Sequence, residues 1–255
     1  MGTYIVNYDE KINNTNLKAR LFLFPYAGGG TAAFRNWADK FENVQLSTIL
    51  YPGRECRFSD TPIDNIDVLS EEIFSEIINT VDFELPYFLF GHSMGTKVVY
   101  EVALKIKESE YPNPAGIIIS GGRAPCYKEP RPIYHLDDNG FREGLKRYDG
   151  TPKEIIENEE LFNIFLPMLR ADFIVDEKYE KEKVEKLDTE ILGLMGNVDE
   201  EMSVDELIKW EDYTTAGFGC ETISGAHMFV ITNPDEVIIK IKQFIDKKTN
   251  EKQEI

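Results

Sequence analysis

The segment Gly91-His92-Ser93-Met94-Gly95 holds the residues of this chain best arranged for chemistry. It follows the apolar run Pro86-Tyr87-Phe88-Leu89-Phe90 and precedes a helical stretch, Thr96–Ile106, so the serine is expected on a tight strand-to-helix turn. Glycines on both sides of such a strained turn avoid Cβ clashes, Ser93 Oγ projects into a cleft, and the helix aims its first N–H groups at the same place. A serine hydroxyl is a poor nucleophile at neutral pH and needs a base. Three histidines are available, His92, His135 and His227. His92 shares the turn, whose backbone geometry is expected to point its ring away, and His135 lies beside Asp137 and Asp138. His227, in Ser224-Gly225-Ala226-His227-Met228-Phe229, follows a late strand and precedes the last helix, where the base belongs in the chain order Ser, acid, His. The acid that orients it should sit just past a strand end between the two. Asp199 does so, after Ile191–Met195 and the turn Gly196-Asn197-Val198, whereas Glu200, Glu201 and Asp205 read as solvent-facing charges near the next helix start.

A tetrahedral oxyanion needs two backbone N–H donors, one from the residue after the nucleophile and one from the loop after the first core strand. Those are Met94 and Ala27, the latter in Phe24-Pro25-Tyr26-Ala27-Gly28-Gly29-Gly30. A phosphate-binding loop is the competing reading of these glycines, but the Lys-Ser/Thr of a P-loop and the G-x-G-x-x-G fingerprint are both missing.

Short apolar, β-rich runs alternate with amphipathic stretches from Lys18 onward, with Gly, Pro or Asn at the junctions. Strands are expected at 21–24, 45–50, 87–90, 116–120, 190–195 and 220–224, and helices at 33–40, 66–80, 94–108, 204–214 and 234–246. Nearly continuous apolar strands imply helices on both sheet faces. With the Ser, acid, His order this is the grammar of an α/β-hydrolase fold: a mostly parallel central sheet, helices on both faces, in a single domain spanning 1–255. One stretch, about 123–186, lacks a strand and shows helical pieces at 139–148, 152–158 and 160–171. An excursion of that length between strands is expected to be a lid over the site. The run Asp176–Lys186 reads as a solvated helix or linker.

The 255 residues are 42% hydrophobic and 29% charged, ordinary globular usage, with a net charge of −18 that disfavours nucleic acid and anionic membranes. No apolar run approaches the roughly 20 residues of a membrane span, and the N-terminus lacks a secretory pattern, so a cytoplasmic protein is expected. Cys56, Cys126 and Cys220 suit neither a disulfide framework nor a metal site, and no metal is expected.

Phe24–Gly30 (FPYAGGG), Pro52–Arg57 (PGRECR), Gly91–Gly95 (GHSMG), Leu166–Phe173 (LPMLRADF) with Glu177 and Tyr179, Gly196–Asp199 (GNVD) and Gly225–Phe229 (GAHMF) together resemble the type II thioesterases of nonribosomal peptide and polyketide biosynthesis. The resemblance runs from about Leu21 to Phe244. It implies a stand-alone enzyme, in the simplest case a monomer without a cofactor of its own, that clears acyl or aminoacyl thioesters from the phosphopantetheine arm of acyl or peptidyl carrier domains. It also implies that Pro125, Leu166, Met168 and Phe173 help line the acyl or pantetheine channel. Tyr26 departs from the usual His, Ala226 from a common Gly, and Thr96-Lys97 from small apolar residues. Carriers of such pathways are generally acidic, and Arg123 to Asp149, with six basic and five acidic residues, is the segment expected to guide them. A general carboxylesterase, an acyltransferase and a non-catalytic binding protein of the same fold are the alternatives.

Overall fold

A computed structural model of the chain describes residues 3–8 and 17–251. Seven strands form one sheet: β1 (Ile5–Asn7), β2 (Ala19–Phe24), β3 (Val44–Ile49), β4 (Tyr87–His92), β5 (Gly116–Ser120), β6 (Ile191–Gly196) and β7 (Phe218–Ile223), in the order β1-β3-β2-β4-β5-β6-β7. Only β1 runs antiparallel, pairing Ile5 with Ile49 on β3. Every residue of β4 and β5 is buried, because helices cover both faces. On one face lie α1 (Ile66–Thr80), presenting Leu69, Ile73 and Ile77, and α2 (Met94–Lys107). The other face is covered by residues 31–40 and, later, the C-terminal helix, with Phe34, Trp37, Val237, Ile241 and Phe244 in its core.

The chain steps from β2 outward to β3 and then returns to the opposite side of β2 for β4, so the direction of winding reverses between β2 and β4. Loops leaving the C-terminal ends of those two strands diverge there and open a crevice. The loop after β2 is FPYAGGG and the turn after β4 carries Ser93.

Two expected helices differ in kind. Thr31–Lys40 is a 3-10 segment, which stacks residues three apart: Thr31, Phe34 and Trp37 are buried together, with Phe34 and Trp37 edge to face at 4.9 Å. The stretch 204–214 is a short helix over Val204–Ile208, capped by Ser203 and Glu206, followed by a 3-10 turn that buries Trp210 and Tyr213 against Tyr100. The three-residue β1 offers too short a pattern to read from sequence.

Between β5 and β6 the chain makes a helical insertion of α3 (Asp138–Leu145), α4 (Lys153–Glu157) and α5 (Glu159–Glu177). Asp137 caps α3 through Gly140 N and Asn158 caps α5 through Leu161 N, so each begins where a side-chain oxygen can take the first free amides. The insertion has its own apolar cluster, including Phe141, Leu145, Ile156, Phe162 and Phe173. The expectation that Asp176–Lys186 is solvated fails at its start: α5 extends to Glu177, and Asp176 and Glu177 are buried. Glu177 Oε2 accepts the amides of Ile133 and Tyr134 at 2.8 and 2.7 Å, which pins the entry of the insertion to the end of α5. The remaining helices are α6 (Val204–Ile208), α7 (Phe229–Thr232) and α8 (Pro234–Glu251), and no described helix is long and apolar enough to cross a membrane.

Candidate active site

Ser93 stands between β4 and α2 with φ 53° and ψ −119°, a left-handed backbone for a residue with a Cβ. That strain is held by neighbours. Ser93 N–H donates to Ser120 O on the adjacent strand at 2.9 Å, and Thr96 Oγ1 donates to Ser93 O at 2.6 Å. Both flanking glycines are required by close approach, since a Cβ on Gly91 would collide with the Gly95 carbonyl and one on Gly95 with the Phe24 carbonyl of β2.

His227 and Asp199 come from loops after β7 and β6, and these loops press together so closely that a Cβ on Gly196 would strike Gly225 O. His227 Nε2 is 3.2 Å from Ser93 Oγ, and His227 Nδ1 is 2.9 Å from Asp199 Oδ2. The Asp199 carboxylate is fully buried and its Oδ1 accepts Glu201 N–H at 2.8 Å. Serine, imidazole and carboxylate thus form one hydrogen-bonded chain, with the geometry needed to move a proton off Ser93 and to hold the resulting cation.

The His92 ring packs beside this chain without a side-chain hydrogen bond to it. Its ring is wholly buried, 5.6 Å from that of His227 and edge-on to Tyr26 and Phe229, with Nδ1 2.9 Å from Ser120 Oγ. Burial holds its pKa well below the usual histidine value, so it stays neutral beneath His227. Tyr26 is the other half of that edge contact, and burial pushes its phenol up.

Met94 opens α2, with its amide at the positive end of the helix, and Ala27 follows β2 and lines a cavity with Ser93. The loop around Ala27 is braced by a buried ion pair that links two motifs read separately in the sequence. Arg54 of PGRECR reaches Asp172 of LPMLRADF at 2.6 and 2.8 Å, each side chain only 5% exposed. Asp172 Oδ2 also accepts Gly28 N–H at 2.7 Å, and Arg54 Nη1 donates to Gly29 O at 2.7 Å. A pair that dry requires these extra hydrogen bonds to offset its desolvation.

Phe173 lines the cavity at Ser93 beside Tyr26 and Tyr148. Met168 and Leu166 pack within the cluster of the insertion, Met168 against the backbone at Gly53, and Pro125 O accepts Lys181 N–H at 2.8 Å. Tyr148, which no sequence motif marked, lines every space around the nucleophile along with His227. Glu201 is not solvent-facing, as its neighbours suggested: its side chain is 8% exposed and pairs with Arg131 and Arg147. Glu200 and Asp205 are exposed. The basic segment is not free either. Arg123 pairs with Glu129 and Glu206, Lys128 with Glu180, Lys146 with Glu143, and Arg147 with Glu129 and Glu201, while Arg142 donates to Ile156 O. His135 is exposed and remote from the triad's hydrogen bonds, and among the described residues no cluster of three His, Cys, Asp or Glu is arranged for a metal.

The profile of the thioesterase domain family matches residues 19–245. The chain belongs to that family. The thioesterase is 33% identical to the gramicidin S biosynthesis protein GrsT of Aneurinibacillus migulanus, over 92% of this chain and 94% of that one. It superposes on YbtT, a type II thioesterase from the yersiniabactin NRPS/PKS biosynthetic pathway, with a TM-score of 0.89 and 30% identity over 97% of this chain and 100% of that one. It is also 29% identical to the medium-chain S-acyl fatty acid synthase thioesterase of Rattus norvegicus, over 89% of this chain and 87% of the relative. The type II resemblance read from the motifs therefore holds across the chain, and the thioesterase is a thioester hydrolase of the α/β-hydrolase kind.

Proposed function

We propose that the protein is an editing thioesterase of nonribosomal peptide or polyketide synthesis that hydrolyses acyl or aminoacyl groups from the phosphopantetheine arm of carrier domains. The observation that carries this reading is the hydrogen-bonded chain Ser93–His227–Asp199 on a strained turn at the head of α2. His227 Nε2 takes the Ser93 proton as Oγ attacks the thioester carbonyl, and Asp199 stabilises the imidazolium. His92, kept neutral by burial, adds no charge to oppose that cation. The amides of Ala27 and Met94 receive the oxyanion, and as the tetrahedral intermediate collapses the C–S bond breaks and the pantetheine sulfur leaves with the proton held on His227 Nε2, which restores the neutral imidazole. A thiol is a good leaving group and needs little acid assistance. Water, deprotonated by His227, then hydrolyses the acyl-Ser93 ester, and the enzyme requires no cofactor for any step. The insertion over the cleft serves as the lid, with Phe173 and Tyr148 as its contribution to the walls.

The test is hydrolysis of one acyl group carried on a holo carrier domain and on a small thiol. Ser93→Ala should lower kcat/KM on both by about 10⁴ or more, and the parent should yield an acyl adduct on the Ser93 peptide when quenched early. A folded Ser93→Ala protein within about tenfold of the parent would remove Ser93 from the mechanism.

A further inference from the structure

Two small cavities meet at Ser93, each of about 20 Å³, and a groove of about 420 Å³ lies outside them along His227 and Tyr148. A thioester has two ends to house. The long thiol arm fills a groove of that size, which leaves the acyl group to the small cavities, each with room for about one water-sized group. Asp176 is in the wall of both. It does not stand there alone. Lys97, one turn after Ser93 on α2, donates to the Asp176 carboxylate at 2.5 Å and to its carbonyl at 2.6 Å. Only 6% of the lysine side chain and 12% of the aspartate are exposed. Arg123, Glu129 and Glu201 complete a charged lining on the same side.

We infer that the buried Lys97–Asp176 ion pair is the specificity-determining wall of the acyl site, admitting short or amine-bearing acyl groups and turning away long alkyl chains. The inference rests on the thioester-hydrolase mechanism proposed above. In an apolar pocket each added methylene strengthens binding. Here an added methylene must cover or displace a charge pair that has little hydration left and gains no partner from the chain. An α-ammonium reverses the balance, because it donates to the Asp176 carboxylate oxygen that Lys97 does not take. The bland role, stapling α5 to α2, is compatible with any acyl preference, so the change in that preference when the pair is replaced is the quantity that separates the two.

The experiment measures kcat/KM for acetyl, alanyl, hexanoyl and octanoyl thioesters of N-acetylcysteamine. For the parent, octanoyl should fall below acetyl by about tenfold or more, and alanyl should match or exceed acetyl. Lys97→Met with Asp176→Leu replaces the pair by apolar side chains of similar volume, a change that buried pairs often tolerate. In that double variant the octanoyl-to-acetyl ratio should rise by about tenfold or more, while Lys105→Met, on the outer side of α2, keeps the parent ratio. The inference is overturned by a parent that turns over octanoyl as fast as acetyl, or by a folded double variant with the parent's ratio. Should the double variant not fold, Asp176→Asn, which keeps the side-chain shape and removes one charge of the pair, decides in its place: a raised octanoyl-to-acetyl ratio is expected, and the parent's ratio in that folded variant overturns the inference. A parent with no Ser93-dependent turnover of any thioester overturns the mechanism beneath the inference, which is a distinct result.

Discussion

Asp199 and Glu201 are two residues apart and both nearly buried, yet only Asp199 faces the imidazole. Their substitution therefore separates orientation of the base from the charge lining of the cavity. Asp199→Asn should lower kcat by roughly 10³ to 10⁴, since the amide favours the wrong histidine tautomer. Glu201→Gln should lower it by less than about tenfold, because the base keeps its partner and only the pairs with Arg131 and Arg147 weaken. Steady-state kinetics on one small-thiol thioester checks both, and a larger loss for Glu201→Gln would reassign the acid.

One element, α5, holds the site together through two buried carboxylates. Asp172 ties α5 to the loop after β2 through Arg54 and Gly28 N–H, next to Ala27, the proposed oxyanion donor. Asp172→Ala should cut kcat by up to the about 10²–10³ associated with one oxyanion donor, with KM little changed. It also leaves Arg54 buried without its partner, at a cost of about 3–5 kcal/mol in urea unfolding. A variant with lowered stability and unaltered kcat would reduce the brace to a packing role. Glu177 ties the end of α5 to Ile133 and Tyr134, and burial, outweighing those two amides, pushes it up to about 7 from 4.5. Across that interval the folded chain binds more proton than the unfolded one, so the contribution of Glu177 to stability falls as pH rises through it. Glu177→Gln keeps an acceptor for both amides and removes the penalty. Its melting temperature should exceed the parent's by about 2–4 °C near pH 8 and converge with it near pH 4.5, in thermal scans followed by circular dichroism.

At the scale of the whole molecule the net charge of −18 is not relieved where the sequence suggested. Arg123 and Arg147 of the insertion are held in partly buried pairs with neighbouring carboxylates, so reversing Arg147 would break a packed ion-pair network rather than report on docking. Under the proposed function, an acidic carrier would meet an acidic enzyme. Raising ionic strength from about 0.01 M to about 0.1 M shortens the Debye length from about 30 Å to about 10 Å, which should lower KM for a carrier-borne acyl group and leave the same acyl on a small thiol unaffected. A KM that climbs with salt for the carrier substrate would instead mean an attractive, locally basic docking surface.

The sequence by itself determined the parallel strands, the helix after Ser93 and the choice of Ser93, Asp199 and His227, which the structure joins in one hydrogen-bonded chain. These follow from local rules: apolar runs bounded by turn residues, glycines where backbones touch, and a chain order that the fold imposes. Where the local pattern was too short or the wrong period, as in β1 and in the 3-10 segment of Phe34 and Trp37, the alternation misled or said nothing. Charged residues were the least legible. Lys97, Arg54, Asp172, Asp176, Glu177 and Glu201 have the composition of surface, and only the packing of α5 over α2 and the loop after β2, and of the start of the insertion against α5 and the loop after β6, puts each beside a partner distant in sequence. Burial of a charge depends on a counter-charge or hydrogen-bond donors brought by another element, and that is decided by tertiary structure alone.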